Sequence, residues 1–495
     1  MSSGPDLSTK VARGVAWTAI AQGVIAAADF FSLMLVLAVW VPPKDYGLAA
    51  AAGAFYTALD YIADLGVSSA LIQHDDHTPE RVSTMFWLNL LITGGLFVAL
   101  LGLGPLYGWL EGEPVLGWLL IAYGAKLLIQ NVYSIPFALL KKDQRFGEIA
   151  WARIIAHLAE SGSRIALAAS GITIWCFTLS ALVRAFVFGV IMQIRHPFIP
   201  KAAFNLKEAS HYVKFGLRTA ASNVLYQLYT SMDVPVILLF FGKTAAGVYG
   251  LADQIVLEPV KTIANIVTDV AYSAFAKMRH DRRGLAEQFI RLTRFNLITI
   301  LPYVVLVLLV IPEILRLIYT HGEWTPRQLE LVGDAARLLC VMGLFRALGY
   351  LGPPVLDGTG HPERTLRYMV IATFAVPGSF FIAAAALGPH FAADAGFLSV
   401  ALAWAIGYPL AFAALAFLVV KTIDLPVGRY VSASVQIMAC AAAGLAVGFA
   451  VDVALAHAGD LVRLAAIGSS ALATIAILLA TWQGITPRSI TASLK

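Results

Sequence analysis

Four ionisable residues share one side of an apolar stretch at 147–172. Arg153, His157, Glu160 and Arg164 follow one another at spacings of four, three and four, which places them on one face of a helix. Ionisable side chains within a membrane are costly and usually line water-filled cavities. Guanidinium groups in such a cavity can replace the lost hydration of a phosphate with charge-assisted hydrogen bonds. This face therefore predicts an anion-binding site.

Two further cations, Lys126 and Arg184, lie at similar depth in neighbouring apolar stretches. With them, the interior of this part of the chain is expected to be cationic. The alternative is that Glu160 and Arg164, an acid followed by a base four residues later, only neutralise each other. For His157 two roles stay open, a proton switch near neutral pH and a hydrogen-bonding neighbour of the two arginines.

The stretch 214–276 mixes acidic and basic residues. The candidate substrate ligands here are Arg218 and Lys261, and the candidate ion-coupling residues are Asp233, Asp253 and Glu258. Pro259 is expected to kink its helix and free backbone carbonyls beside these acids. Acids next to free carbonyls can hold Na+ or a proton; the alternative is that they pair with Lys261 and Arg218.

Acidic residues earlier in the chain are further coupling candidates. They are Asp29, Asp60 and Asp64, of which the last two lie four apart on one helical face. Lys126 or Arg153 could pair with Asp60 and Asp64 across helices.

The composition determines the kind of element that carries these residues. The chain of 495 residues is 59% hydrophobic and 13% charged, whereas soluble domains are about 25% charged, which excludes a soluble enzyme. Apolar stretches of about 20 residues cross a bilayer, and without alternating hydrophobicity they do so as helices. The sequence predicts fourteen spans, at 15–40, 47–72, 82–104, 115–140, 147–172, 175–194, 214–241, 244–276, 292–320, 328–350, 364–388, 395–421, 430–456 and 461–482.

The loops between the spans predict the orientation of the chain. With the N-terminus in the cytoplasm, most Lys and Arg fall in cytoplasmic segments, and the opposite loops hold Lys44, Lys243, Arg327 and Arg463. This positive-inside bias predicts that both termini are cytoplasmic. The cationic segment 277–294 follows the same bias, and as a surface amphipathic segment it could also attract anionic lipid.

Two short motifs recur at nearly the same offset. Tyr46-Gly47-Leu48-Ala49 matches Tyr249-Gly250-Leu251-Ala252, and Asn89-Leu90-Leu91-Ile92-Thr93 is echoed by Asn296-Leu297-Ile298-Thr299. A repeat of six spans predicts two parallel lobes. We expect an all-α polytopic membrane protein with lobes at 1–200 and 201–425 and an additional C-terminal helix pair at 426–495.

Several of these segments resemble one family of transporters, the Wzx-type polysaccharide flippases, most closely the colanic-acid exporter branch. The matching segments are 17–73 with Lys44-Asp45-Tyr46-Gly47-Leu48 and Asp64-Leu65-Gly66, then Phe86-Trp87-Leu88-Asn89, Ala274-Phe275-Ala276-Lys277, Leu338-Leu339-Cys340 and Gly343-Leu344-Phe345-Arg346. The resemblance implies the fold of the MOP superfamily, with a central cavity between two lobes that opens alternately to each side. It also implies that a polyprenyl-diphosphate-linked oligosaccharide crosses the inner membrane in exopolysaccharide or lipopolysaccharide biosynthesis, beside a polymerase and export machinery.

Two other functions remain to be weighed. A multidrug or cation antiporter of the same superfamily should have an acidic and aromatic cavity, whereas this one is predicted to be cationic. A membrane polysaccharide polymerase or ligase typically has a long periplasmic loop, and the outer loops here are short. No P-loop pattern or nucleophile–base arrangement is present. We therefore predict a transporter rather than an enzyme.

No cofactor beyond a coupling ion, H+ or Na+, is expected. The three cysteines, Cys176, Cys340 and Cys440, stand apart without metal-ligand spacing. The basic residues lie in short loops or inside spans, and this distribution does not form the soluble basic patch that nucleic acid would need. Membrane lipids are therefore the expected surroundings.

Overall fold

The computed structural model describes residues 7–63, 78–205, 224–278, 281–319 and 322–484. Within these ranges the chain forms α-helices and one 3-10 turn, and no strand. This confirms the prediction of an all-α membrane protein. The chain divides into two compact units, Met1–Gly247 and Val248–Lys495. The lobe boundaries at residues 200 and 425 remain predictions.

The helices are numbered here in chain order. They are α1 (Leu7–Val39), α2 (Pro43–Ala63), α3 (Pro79–Leu110), α4 (Pro114–Lys142), α5 (Phe146–Ala169), α6 (Trp175–Arg195), α7 (Asp233–Lys277), α8 (Arg282–Tyr319), α9 (Pro326–Gly349), α10 (Gly352–Gly358), α11 (Pro362–Ala386), α12 (Leu398–Ile423), α13 (Val427–Ala454) and α14 (Asp460–Gln483). The 3-10 turn is Gly388–His390.

The long helix α7 contains a break at Gly242. Its φ of 78° and ψ of 178° belong to a backbone region that is open essentially to glycine alone. The break separates the predicted seventh and eighth spans. Pro259, where the sequence predicts a kink, lies inside this helix, and that kink stays a prediction.

Local sequence signals fix where several helices begin. Thr325 forms a capping box with Gln328: its hydroxyl accepts a hydrogen bond from the Gln328 amide at 3.3 Å, and Gln328 Oε1 accepts one from the Thr325 amide at 2.9 Å. Pro326 occupies the first helical position, where its missing N–H costs nothing. Thr78 caps α3 with its side chain, and a proline follows it in the same way.

Ten segments of the described chain are long and apolar enough to cross a membrane. The remaining long helices α2, α5 and α9 are not among them. Helix α5 is too polar for this criterion because its row of ionisable residues lowers its mean hydropathy. A polar helix of this kind is stable in a membrane only where neighbouring helices shield it.

The helices of the first unit give that shielding. Helices α1 and α6 pack along α5, α4 packs on α6, and α3 packs on α4. Helices α3 and α4 approach closely because each has a glycine at the contact, Gly104 on α3 and Gly117 on α4. A Cβ on Gly104 would lie 2.9 Å from the Gly117 carbonyl oxygen. Small residues at the contact between membrane helices permit this approach.

In the second unit, α8 is the helix around which the others gather. Helices α9, α13 and α14 pack on it, and α12 packs on α9 and α11. Leu301 of α8, Cys440 of α13 and Ile475 of α14 belong to one buried apolar cluster. The C-terminal helix pair is thus packed onto α8 within this unit.

Candidate functional site

Glu160 lies at the centre of an ionic cluster formed by α1, α5 and α6. Its Oε2 accepts a hydrogen bond from Arg184 Nη1 at 2.9 Å, and its Oε1 lies 3.2 Å from Arg164 Nη2. The side chain of Glu160 is 6% exposed, that of Arg164 11% and that of Arg184 32%. A carboxylate so deeply buried needs such partners, because an unpaired buried charge is very costly. The predicted Glu160–Arg164 pair therefore forms, and Arg184 joins it from another helix.

Asp29 of α1 contacts the same face of α5. His157 Nδ1 lies 2.8 Å from Asp29 Oδ2 and 3.7 Å from Glu160 Oε2. The Ser161 hydroxyl donates to Asp29 Oδ1 at 3.3 Å. His157 thus lies between the carboxylates of Asp29 and Glu160 and connects α1 to the ionisable face of α5.

Lys126 of α4 lies in an aromatic environment next to this cluster. The residue is 3% exposed, and its Nζ lies 4.1 Å from the ring centroid of Tyr56 and 5.9 Å from that of Tyr123. The rings of Tyr56 and Tyr123 stack with their centroids 4.7 Å apart. Cation–π contacts stabilise a buried ammonium without neutralising its charge.

Asp60 interacts with this region through an amide rather than through a cation. Gln130 Nε2 donates to Asp60 Oδ1 at 2.9 Å, and the Tyr56 hydroxyl donates to Gln130 Oε1 at 2.7 Å. Arg153 lies with its guanidinium 5.6 Å from the ring centroid of Phe137. Across the described ranges, neither Lys126 nor Arg153 has a carboxylate within ion-pair distance.

The structure places four further predicted site residues on α7. Lys261 pairs with Glu258 at 3.2 Å, and both side chains are largely exposed. Asp233 is buried, and its Oδ1 accepts a hydrogen bond from the Val234 amide at 2.9 Å. Asp253 is half-buried on α7. Arg218 and Asp64 lie outside the described residues.

Sequence reasoning found the Glu160–Arg164 pair but not the contacts that other helices make with it. Asp29 was a candidate without a partner, and its contact with His157 depends on the packing of α1 on α5. The aromatic neighbours of Lys126 had a readable signal, because Tyr123, Lys126 and Gln130 recur at helical spacing on α4. Ser161, which donates a hydrogen bond to Asp29, and Ser32, which accepts one from Arg164, had no such signal in the sequence.

The cluster can be tested as a metal site. Ligand atoms of Asp29, His157 and Glu160 lie within 4.8 Å of one another. However, both oxygens of Glu160 already contact guanidinium groups, and two fixed positive charges beside the site oppose a divalent cation. The arrangement therefore does not fit a divalent metal ion.

The charge balance of these helices favours an anionic ligand. Of the charged side chains described above, the ionic cluster holds Arg164, Arg184, Asp29 and Glu160, and Lys126, Arg153 and Asp60 lie on helices of the same unit. By formal charge these are four cations and three carboxylates, with His157 neutral. Positive charge among apolar helices acts over a longer range than in water and attracts phosphate or carboxylate groups.

The fold and this membrane-embedded ionic site define a polytopic transporter of the inner membrane. The chain belongs to the polysaccharide biosynthesis protein family, whose sequence profile matches residues 36–327.

Three similar proteins illustrate the relationship. The lipopolysaccharide biosynthesis protein WzxC of Escherichia coli (strain K12) is 24% identical over 399 residues, which are 79% of this chain and 77% of that protein. The succinoglycan biosynthesis transport protein ExoT of Rhizobium meliloti (strain 1021) is 24% identical over 386 residues, 76% of this chain and 75% of its own length. The structure of the lipid II flippase MurJ in an inward closed conformation superposes with a TM-score of 0.74 at 17% identity, covering 94% of this chain and 98% of that one.

Proposed function

We propose that this protein flips a polyprenyl-diphosphate-linked oligosaccharide from the cytoplasmic to the periplasmic leaflet of the inner membrane by alternating access. The observation that carries the proposal is the excess of cations over carboxylates among these charged side chains of the first unit. Membership of the polysaccharide biosynthesis protein family supports a glycan as the cargo. The names of WzxC, ExoT and the lipid II flippase MurJ point to the same class of substrate.

The diphosphate is the part of such a substrate that most needs protein donors. It loses its hydration on entering the membrane, and charge-assisted hydrogen bonds can replace what is lost. Arg184 is the more exposed of the two guanidinium groups bound to Glu160, so it is the donor that an entering phosphate reaches first. Lys126 and Arg153 add charge that no nearby carboxylate neutralises in the described part of the chain.

Glu160 and Asp29 give the same site a way to couple to protons. While Glu160 is ionised, it competes with a phosphate for Arg164 and Arg184. A proton shared among His157, Asp29 and Glu160 would weaken that competition, because His157 Nδ1 lies within 3.7 Å of an oxygen of each acid. Proton uptake would then favour substrate binding. The acids Asp233, Asp253, Glu258, Asp60 and Asp64 remain the other predicted coupling residues.

We also propose that both termini lie in the cytoplasm, which the positive-inside bias supports. A flipped oligosaccharide must be polymerised and exported, so a polymerase and export machinery are the expected functional partners.

A flipping assay in proteoliposomes tests the function. A fluorescent polyprenyl-diphosphate oligosaccharide is placed in both leaflets, and its translocation is followed by chemical quenching from outside, with and without a proton or Na+ gradient. The test variants are Arg184→Gln, Arg153→Ala, Arg164→Ala and Lys126→Ala. Arg327→Gln, which removes an exposed arginine of the second unit, is the matched control.

The wild type and the Arg327→Gln control should flip the lipid, and Arg184→Gln should slow flipping about tenfold or more, as expected for loss of a bond to a charged group. If the wild type moves no such lipid under any gradient but exports hydrophobic cations, the protein is a multidrug antiporter instead. Normal flipping by all four variants would remove the ionic cluster from the substrate path.

A further inference from the structure

The chain leaves α6 as an irregular segment that packs against the side of α3. This segment, residues 196–205, is called the strap here, and it contains no helix or strand. Side chains of α3 bind its backbone. The Ser83 hydroxyl accepts a hydrogen bond from the Lys201 amide at 3.0 Å, and Trp87 Nε1 donates one to the Lys201 carbonyl at 2.8 Å. The strap is therefore fixed to the first unit.

Further hydrogen bonds satisfy more of the polar backbone of the strap. The Thr84 hydroxyl accepts one from the Asn205 amide at 3.2 Å, and Gln193 Oε1 of α6 accepts one from the Phe198 amide at 3.0 Å. Two other positions of the strap are proline, which has no N–H to satisfy. Irregular backbone close to hydrocarbon is costly unless its polar groups have partners. The strap has such partners at these positions.

The strap lies beside the membrane-spanning part of its neighbours. The Phe198 side chain packs on an apolar cluster of α3 and α4 that consists of Val82, Met85, Ile135 and Ala138. Both helices are long and apolar enough to cross a membrane. Met85 lies about 9 Å along α3 from its first residue, at 1.5 Å per residue. The strap thus reaches below the end of α3 instead of lying beyond it.

The side of α3 that holds the strap is its lipid-facing side. Trp87 shares a helical face with Leu91 and Val98, and each of these two apolar residues is 66% exposed. Such a row on a membrane helix faces lipid, because apolar surface is driven out of water. Tryptophan itself is enriched where the membrane meets water. Its bond to the strap therefore places the strap at this boundary.

Two apolar side chains of the strap point away from the protein. Ile199 is 88% exposed and Phe204 is 45% exposed. Between them in sequence, Lys201 pairs with Glu80 at 2.9 Å, and both charged side chains are more than half exposed. Apolar groups beside an exposed ion pair fit the boundary between acyl chains and headgroups, where lysine keeps its charge in water.

We propose that the strap is an interfacial membrane anchor. Ile199 and Phe204 insert among the acyl chains of the cytoplasmic leaflet, while Lys201 and Glu80 stay in its headgroup layer. The occupant of this surface is phospholipid, since the exposed side chains continue the lipid-facing side of α3, and the positive-inside bias gives the leaflet. The strap begins the connection from α6 to α7, so the lipid holds that end of the connection with the first unit. The proposal does not depend on the flipping activity.

Depth-dependent fluorescence quenching of the full chain in proteoliposomes tests this anchor. Ile199→Cys and Phe204→Cys are each labelled with the fluorophore NBD. The three native cysteines are buried, and the unsubstituted protein measures any label that they take up. The quenchers are phosphatidylcholines with a nitroxide near the glycerol or near the end of an acyl chain, and iodide in the water.

Two further labelled positions calibrate the measurement. Leu91→Cys reports the lipid-facing side of α3 deep in the membrane. Asp143→Cys, at an exposed position after α4, reports water. It lies on the same side of the membrane as the strap, because Arg145 Nη1 donates to the Arg195 carbonyl at 3.4 Å.

Both strap labels should be quenched most by the nitroxide near the glycerol, as expected for a depth of about 5–10 Å at the boundary of headgroups and acyl chains. Iodide should quench them less than it quenches the label at Asp143→Cys. Trp87→Phe keeps an aromatic ring but removes the donor to the strap, so it should raise iodide quenching of the Ile199→Cys label about twofold, as loss of one hydrogen bond permits. Trp118→Phe, which changes another exposed tryptophan of the first unit, should leave it unchanged.

Three results would overturn the proposal. Strong iodide quenching without any nitroxide quenching would put the strap in water and leave its apolar side chains to a cytoplasmic protein. Strongest quenching by the deeper nitroxide would put the strap in the hydrocarbon. Unchanged quenching in Trp87→Phe would show that α3 does not hold the strap. Gel filtration and thermal unfolding check the folding of each variant, and Phe204→Cys decides if Ile199→Cys does not fold.

Discussion

Arg184 of α6 donates a hydrogen bond to Glu160 of α5 at 2.9 Å across two membrane helices. The bond joins a deeply buried carboxylate to a guanidinium that is about one-third exposed. Arg184 therefore holds the two helices together and still has part of its side chain exposed, which the proposed function assigns to a ligand. This division lets one residue serve both the packing of the first unit and the proposed binding of a diphosphate.

Removing the charge of Glu160 should destabilise the first unit. Glu160→Gln leaves Arg164 and Arg184 without their carboxylate, and breaking a buried ion pair costs about 3–5 kcal/mol. Thermal unfolding of the purified protein measures the loss. Glu148→Gln removes a carboxylate from the half-exposed pair with Arg145 and should have a small effect. An equal loss in the two variants would show that Glu160 is no more than a surface charge.

The sequence predicted the parts of this architecture that depend on local pattern. Hydropathy located the helices, and helical spacing placed the ionisable row of α5 on one face. Which residue of another helix meets that face depends on how the helices rotate and pack, and spacing contains no such information. The contact between Asp29 and His157 joins residues 128 positions apart in sequence.

Lys126 should be needed for transport but not for folding. Lys126→Met keeps the length and apolar character of the side chain while removing a charge that no described carboxylate neutralises. Replacing a buried charge by an apolar group is often neutral or stabilising. We expect flipping to fall about tenfold or more, with an unfolding temperature equal to or above that of the wild type. Lys141→Met, at an exposed position, should leave flipping unchanged. Wild-type flipping by Lys126→Met would exclude Lys126 from the substrate site.

His157 should determine how flipping responds to a proton gradient. His157→Gln keeps a hydrogen-bonding side chain beside Asp29 but cannot take up a proton. Flipping down a substrate gradient should continue, while the acceleration caused by a proton gradient should be lost. Proteoliposomes with a set internal and external pH separate the two rates. His361→Gln, which changes an exposed histidine of the second unit, should respond as the wild type does. A full response by His157→Gln would place coupling among the other acids.

Gly47 should tolerate no larger residue. A Cβ at this position would overlap the Lys243 carbonyl oxygen, and one at Gly247 would overlap that of Pro43. Backbone atoms cannot move aside as a flexible side chain can, so Gly47→Ala should destabilise the protein by about 1–3 kcal/mol or more. Thermal unfolding checks this. Gly94→Ala meets nothing within 4 Å and should be neutral or stabilising, because alanine favours a helix.

The ion pair of Asp394 with Arg327 should make a small, pH-dependent contribution to stability. The hydrogen bond from Arg327 Nε at 2.9 Å lowers the pKa of the exposed Asp394 carboxyl below its ordinary value of 3.8. A lowered folded-state pKa contributes stability that is present above the ordinary pKa and is lost as pH falls through the folded-state pKa. Asp394→Asn should therefore unfold slightly more easily than the wild type at neutral pH, and the difference should vanish in acid. A difference that grows on acidification would contradict this sign. Thermal unfolding across the acidic range measures it, with Asp460→Asn as the control.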